Sequence, residues 1–169
     1  MFLIKIFIFS MIIAASAYIG IMIAKKYTNR EQELKEIKNA LNMFENKIKF
    51  TYEDIPTVFE DISKKIQGNV GNIFKTASIK MQNMPAGDAW NYALENTGTS
   101  LKKEDIEIIN GLGRMLGKTD LNGQISEIKL VNNFIDTQIE EAKQEREKNS
   151  KMYKTLGVIV GITIVIILA

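Results

Sequence analysis

Two uncharged stretches bracket this sequence and restrict what it can fold into. From Ile6 to Ala24 and from Thr155 to Ala169 no residue is charged, and almost every Lys, Arg, Asp and Glu lies between Lys25 and Lys154. A helix rises about 1.5 Å per residue, so the first stretch comes close to crossing a hydrocarbon layer of about 30 Å. The second is shorter. Met152 and Tyr153 extend it, with Lys151 and Lys154 reaching back to the headgroups. A run this rich in Ile and Val, with no polar face, is hard to bury in a small domain. Transmembrane helices are therefore expected at 1–24 and 155–169. The alternative for the first is a signal peptide, because Ala15-Ser16-Ala17 has the small-x-small spacing of a cleavage site. Against it, apolar sequence continues through Ile23, and Lys25, Lys26 and Arg30 then oppose export.

Basic residues set the orientation. Lys25, Lys26, Arg30, Lys35 and Lys38 follow the first stretch, and Lys143, Arg146, Lys148, Lys151 and Lys154 precede the second. The positive-inside rule places the middle of the chain in the cytoplasm on both counts.

Composition then excludes several functions. There is no Cys and no His. That removes disulfides, thiolate metal sites, the usual general base and the commonest metal ligand. The net charge of +2 and the lack of a long basic run argue against nucleic acid as a partner. The carboxylates form no constellation by spacing, so no enzyme, no cofactor and no small-molecule substrate are expected.

The middle reads as all-α. Leu34, Ile37, Leu41, Phe44 and Ile48 form one helical stripe. Thr51 to Ile55 interrupts it, and Pro56 suits the first turn of a second helix carrying Ile55, Phe59, Ile62 and Ile66. Gln67 to Asn72, "QGNVGN", predicts a break. A third helix follows with Ile73, Phe74, Ala77 and Met81. A short fourth has Asp88 as cap and Trp90, Ala93 and Leu94 inward. The fifth runs from about Leu101 with Ile106, Ile109, Leu112 and Leu116. The sixth opens at Thr119-Asp120 and carries Leu121, Ile125, Ile128, Phe134, Ile135 and Ile139. The expected architecture is a cytoplasmic bundle of about six helices, residues 25–139, flanked by the two membrane helices. A helical bridge, 140–154, is polar all round and expected to be solvated. Trp90, Leu94, Ile106 and Ile109 are expected in the core.

Within "NGLGRMLGKTD", Gly117-Lys118-Thr119 matches the end of a phosphate-binding loop. That loop needs its first glycine at position 112, between a strand and a helix. Position 112 is Leu, and the preceding residues have helical spacing. The stretch instead predicts a helix–turn–helix corner. Leu112 and Leu116 face inward, Gly113 admits a neighbouring helix, and Gly117 ends the helix in the left-handed region. Thr119 or Asp120 caps the next one. In the membrane segments, Ser16, Gly20 and Ala24 recur every four positions, and Gly157 and Gly161 form a G-x-x-x-G pair. Small residues let membrane helices approach, so packing of the two spans through these faces is expected, with Gly20 near Gly161, within one chain or by self-association.

The segments "GDAWNYAL" (Gly87 to Leu94), "LKKEDIEIINGLGRMLGKTD" (Leu101 to Asp120) and "KNSKMYKTLGVIVG" (Lys148 to Gly161) resemble the stage III sporulation protein AB family. The resemblance covers essentially the whole chain, although the N-terminal span matches only in character. The family is similar, in its helical cytoplasmic domain, to the platform protein F of type II secretion. The resemblance implies a non-enzymatic subunit of a multiprotein assembly between mother cell and forespore, in the mother-cell membrane around the forespore. A secretion-type ATPase, stage III sporulation protein AA, and the other subunits of that complex are the implied partners. A membrane-tethered adaptor or signalling protein unrelated to secretion is the alternative with the same topology.

Overall fold

The computed structural model describes residues 2–51 and 53–168, with side chains from Ile4 onward. Met1 and Ala169, the outer ends of the two expected spans, and Tyr52 in the first interhelical break lie outside the described residues. All regular structure among them is helical. The elements are α1 (Phe2–Phe50), α2 (Ile55–Lys65), α3 (Gly68–Lys80), α4 (Ala86–Asn96), α5 (Lys103–Asn110), α6 (Leu121–Glu145) and α7 (Lys151–Leu168). A 3₁₀ turn, Gly111–Arg114, follows α5, and a π turn, Arg146–Ser150, joins α6 to α7. The chain forms two compact units, one from residues 2–31 and 141–168, the other from 32–140.

The second unit is a six-helix bundle, to which α1 and α6 contribute their parts within 32–140. Leu34, Ile37, Leu41, Phe44 and Ile48 line the buried face of α1. Successive helices each add an aromatic residue to the centre: Phe44 from α1, Phe59 from α2, Phe74 from α3 and Trp90 from α4. Phe59 meets the other three edge-on at centroid distances of 4.9–5.5 Å. Such pairs contribute about 0.5–1.5 kcal/mol each beyond the area they bury. The Trp90 indole also donates to the Ile109 carbonyl at 3.1 Å, which ties α4 to α5 and satisfies the buried N–H. Leu94 and Ile109 are buried with it, while Ile106 is only partly covered against this core.

Polar side chains close the bundle. Glu33, 6% exposed, accepts from Asn69 at 2.7 Å and from the Ser100 backbone N–H at 2.6 Å. The Ser78 hydroxyl donates to the Pro56 carbonyl at 2.9 Å. Lys47 bridges Asp61 at 2.6 Å and Glu53 at 2.9 Å. Hydrogen bonds first to Asp61 and then to Glu53 hold the Lys47 ammonium above its ordinary range. The same bond, then the charge of Lys47, holds the Asp61 carboxyl below its own.

Several expectations need correction. Gln67 to Asn72 is not an extended break: only Ile66 and Gln67 leave the helical path, and α3 already begins at Gly68, whose φ of 76° makes the turn. Asp88 lies in the first turn of α4, behind a cap position held by Pro85. The fifth helix does not run to Leu116. It tightens into the 3₁₀ turn after Asn110, where Gly111 and Gly113 lower the helical preference. On α6 the buried stripe is Ile128, Val131 and Ile135. Leu121 and Phe134 face outward, 37% and 52% exposed.

In the first unit, residues 2–31 of α1 pack against α7. A Cβ on Gly20 would stand 2.5 Å from the Tyr153 carbonyl oxygen and 3.0 Å from the Gly157 Cα, so only hydrogen fits there. The Ser16 hydroxyl donates to the Gly157 carbonyl at 2.6 Å. Gly161 faces Ile13 and Ser16, so Gly20 meets Gly157 and not Gly161, one turn from the expected pairing. Ala24 is buried. Among the described residues two helices are long and apolar enough to cross a membrane, and only 6% of each apolar window is buried. A core helix of a soluble domain would be mostly covered.

Candidate functional site

The corner expected from "NGLGRMLGKTD" is built from contacts between α4, the 3₁₀ turn and α6. Leu112 and Leu116 are buried. The backbones of Gly87 and Gly113 touch: a Cβ on Gly87 would lie 2.1 Å from the Gly113 carbonyl oxygen. One on Gly113 would lie 2.6 Å from Asn91 Oδ1 and 2.9 Å from Trp90. Gly117 has φ 70°, the left-handed conformation that ends this segment. Asp120 then caps α6, its carboxylate accepting from the Gly123 N–H at 2.9 Å, while the Thr119 hydroxyl donates back to Met115 at 3.3 Å. Lys118 is exposed beside a backbone N–H that is already bonded to the Met115 carbonyl. A phosphate cradle needs free N–H groups, and the turn uses this one itself. No group of three or more Asp or Glu side chains among the described residues could hold a metal ion.

The surface feature of the bundle lies between α5 and α6. A groove of about 450 Å³ is floored by Ile108, Val131, Leu130 and Phe134. Glu104, Glu107 and Glu127 rim it, with Arg114 as the one cation in its lining. A smaller notch of about 320 Å³ shares Glu107, Gly111 and Arg114 with the groove and adds Asn91 and Asn110. The Oδ1 atoms of both asparagines are buried and accept no hydrogen bond among the described residues. Sequence reasoning missed this groove. The available signal was Leu130 with Phe134, an i, i+4 apolar pair beside the core stripe of α6.

Beside the α1–α7 contact, the bridge 140–154 is not simply solvated. Arg30, with 3% of its side chain exposed, pairs with Glu145 at 2.8 Å, and Arg146 pairs with Glu31 at 3.0 Å. Tyr27 and Tyr153 stack one level further, centroids 5.8 Å apart and 16° from parallel. The two arginines and two glutamates interlock within one unit, and the bridge reverses from the "solvated" expectation because α1 supplies opposite charges at the same level. Charge alone, without the facing partner, could not reveal this.

Known proteins are similar to this chain in both sequence and fold. The family model for stage III sporulation protein AB matches residues 5–169. Stage III sporulation protein AB of Bacillus subtilis (strain 168) is 29% identical over 161 residues, covering 93% of this chain and 94% of that protein. A solved structure of stage III sporulation protein AB covers 71% of this chain and 98% of its own, with 25% identity and a TM-score of 0.66. With the all-α bundle and the glycine-built corner in place, the chain belongs to the stage III sporulation protein AB family.

Proposed function

We propose that this protein is a non-enzymatic membrane platform subunit of a sporulation-specific, secretion-like complex between mother cell and forespore. Its two apolar helices anchor it in the mother-cell membrane around the forespore, and the six-helix unit stands in the cytoplasm. There it engages the stage III sporulation ATPase, protein AA, and other subunits of the complex. The family match over residues 5–169 carries this reading, joined to two apolar helices that the fold leaves uncovered. The basic flanks on the inner side of both helices support the orientation. Small-residue packing at Ser16, Gly20, Ala24, Gly157 and Gly161 holds the two spans together.

The test has two arms. Deletion should block spore formation after engulfment, and full-length protein in mild detergent should retain the purified ATPase on a column. A deletion strain that sporulates normally would refute the developmental role. Sporulation failure without any ATPase retention would leave the membrane-tethered adaptor as the better description.

A further inference from the structure

The groove between α5 and α6 carries two unmet demands. On its floor Leu130 and Phe134 are 48% and 52% exposed, one turn apart, although the buried face of α6 is already filled by Ile128, Val131 and Ile135. Single exposed apolar side chains need no explanation, but a contiguous pair in a groove of about 450 Å³ does. On its rim stand three carboxylates, Glu104, Glu107 and Glu127, with the Arg114 guanidinium beside them; Lys103 reaches Glu107 only in a long, solvent-exposed pair at 3.9 Å, so the rim keeps a negative excess. In the adjoining notch, the uncompensated amide oxygens of Asn91 and Asn110 add to the negative potential.

We infer that this groove is a docking site for a basic amphipathic helix of a partner protein. Apolar residues of that helix, spaced three or four apart, cover Leu130 and Phe134, and its Lys or Arg side chains face the three glutamates. This is the helix-in-groove mode of recognition, with charge complementarity selecting the partner. An acidic helix is repelled by the rim. A lipid tail satisfies the floor but not the carboxylates. A second copy of this chain is the remaining occupant, which the experiment separates. The inference deepens the reading of the protein as a contact subunit and rests on it.

The experiment places a photo-reactive benzoylphenylalanine at Phe134 of the full-length protein, in its own cells during spore formation. The crosslinked segment is sequenced by mass spectrometry. The expected adduct is a helix-spaced apolar segment of another protein with at least two Lys or Arg residues. Its yield should fall at least tenfold in Glu107→Lys/Glu127→Lys and be unchanged in Lys75→Glu, an exposed charge on α3. The neutral variant Glu107→Gln/Glu127→Gln keeps the fold under test separate from the charge, and should give an intermediate yield with an unchanged helical circular dichroism signal. An adduct to lipid, to an acidic segment or to a second copy overturns the inference, as does a yield indifferent to both charge variants. Failure here leaves the sporulation phenotype of the deletion standing, so the two readings fail separately.

Discussion

Gly87 and Gly113 meet backbone to backbone, with no room between α4 and the 3₁₀ turn for a single methyl group on either side. This contact joins two of the segments that carry the family resemblance, "GDAWNYAL" and the Leu-Gly corner. It also lets Trp90, three residues along α4, reach the Ile109 carbonyl at 3.1 Å. The sequence conceded helix propensity at both glycines, and close packing is what it gained.

Ala in place of Gly gains up to about 1 kcal/mol in helix propensity. At Gly87 the new methyl meets a backbone oxygen that cannot move aside, and overpacking costs about 1–3 kcal/mol. The clash wins, so Gly87→Ala is net destabilising. Gly113→Ala is destabilising as well: the Asn91 side-chain end at 2.6 Å can swing aside, but the buried Trp90 ring at 2.9 Å cannot. Urea unfolding of full-length protein in detergent, followed by the emission of Trp90, reads both. A variant as stable as the parent at either position would contradict the close contact.

At the corner, Gly117→Val forces a β-branched residue to φ 70° and should cost about 2 kcal/mol. Lys118→Ala should stay within about 0.5 kcal/mol of the parent, as exposed substitutions do. Neither the parent nor Lys118→Ala should give saturable heat on titration with ATP. A binding isotherm abolished by Lys118→Ala would restore the phosphate-loop reading.

Lys47 links the end of α1 to Asp61 of α2, and its titration has a definite sign. Asp61 is held below its ordinary value, so its contribution to stability is present above the unfolded carboxyl range, near about pH 4, and is lost as pH falls through the lower folded value. Lys47 is held above its ordinary value. Its contribution is complete below about pH 10 and is lost as pH rises through the folded value. Lys47→Met should therefore flatten both limbs of a stability-versus-pH curve. A mutant whose acid and alkaline limbs match the parent would show that the bridge has no weight.

Arg30 is buried against Glu145, so reversing its charge leaves like charges facing each other. Arg30→Glu should cost about 3 kcal/mol, at the lower end for broken buried pairs because Glu145 keeps 25% exposure. Adding Glu145→Arg should recover most of it. A double mutant no more stable than the single one would show that the pair is not coupled.

Much of this architecture was legible in the sequence, for a physical reason: helical periodicity is local. The stripe from Leu34 to Ile48 and the glycine and cap at Gly117 and Asp120 each depend on neighbours within about one or two turns. What escaped depended on distant partners. Phe134 has the spacing of a core residue, yet Ile128, Val131 and Ile135 take the buried face, and nothing in α6 alone decides between two apolar stripes. The small-residue motifs suggest Gly20 against Gly161, but the register of two packed helices is set along their whole length, including Tyr27 on Tyr153 and Arg30 on Glu145. The groove between α5 and α6 was invisible because no single helix contains it.

The most direct test of the account asks on which side of a membrane the six-helix unit stands. The chain has no cysteine, so Lys75→Cys on exposed α3 supplies one unique thiol. The full-length variant is expressed in vegetative cells, whose only bilayer is the surface membrane, and a membrane-impermeant maleimide is added to their protoplasts before or after permeabilisation. Labelling is expected only after permeabilisation, with the protein remaining in the membrane pellet through an alkaline carbonate wash. Labelling of intact protoplasts, or release of the protein by carbonate, would contradict it.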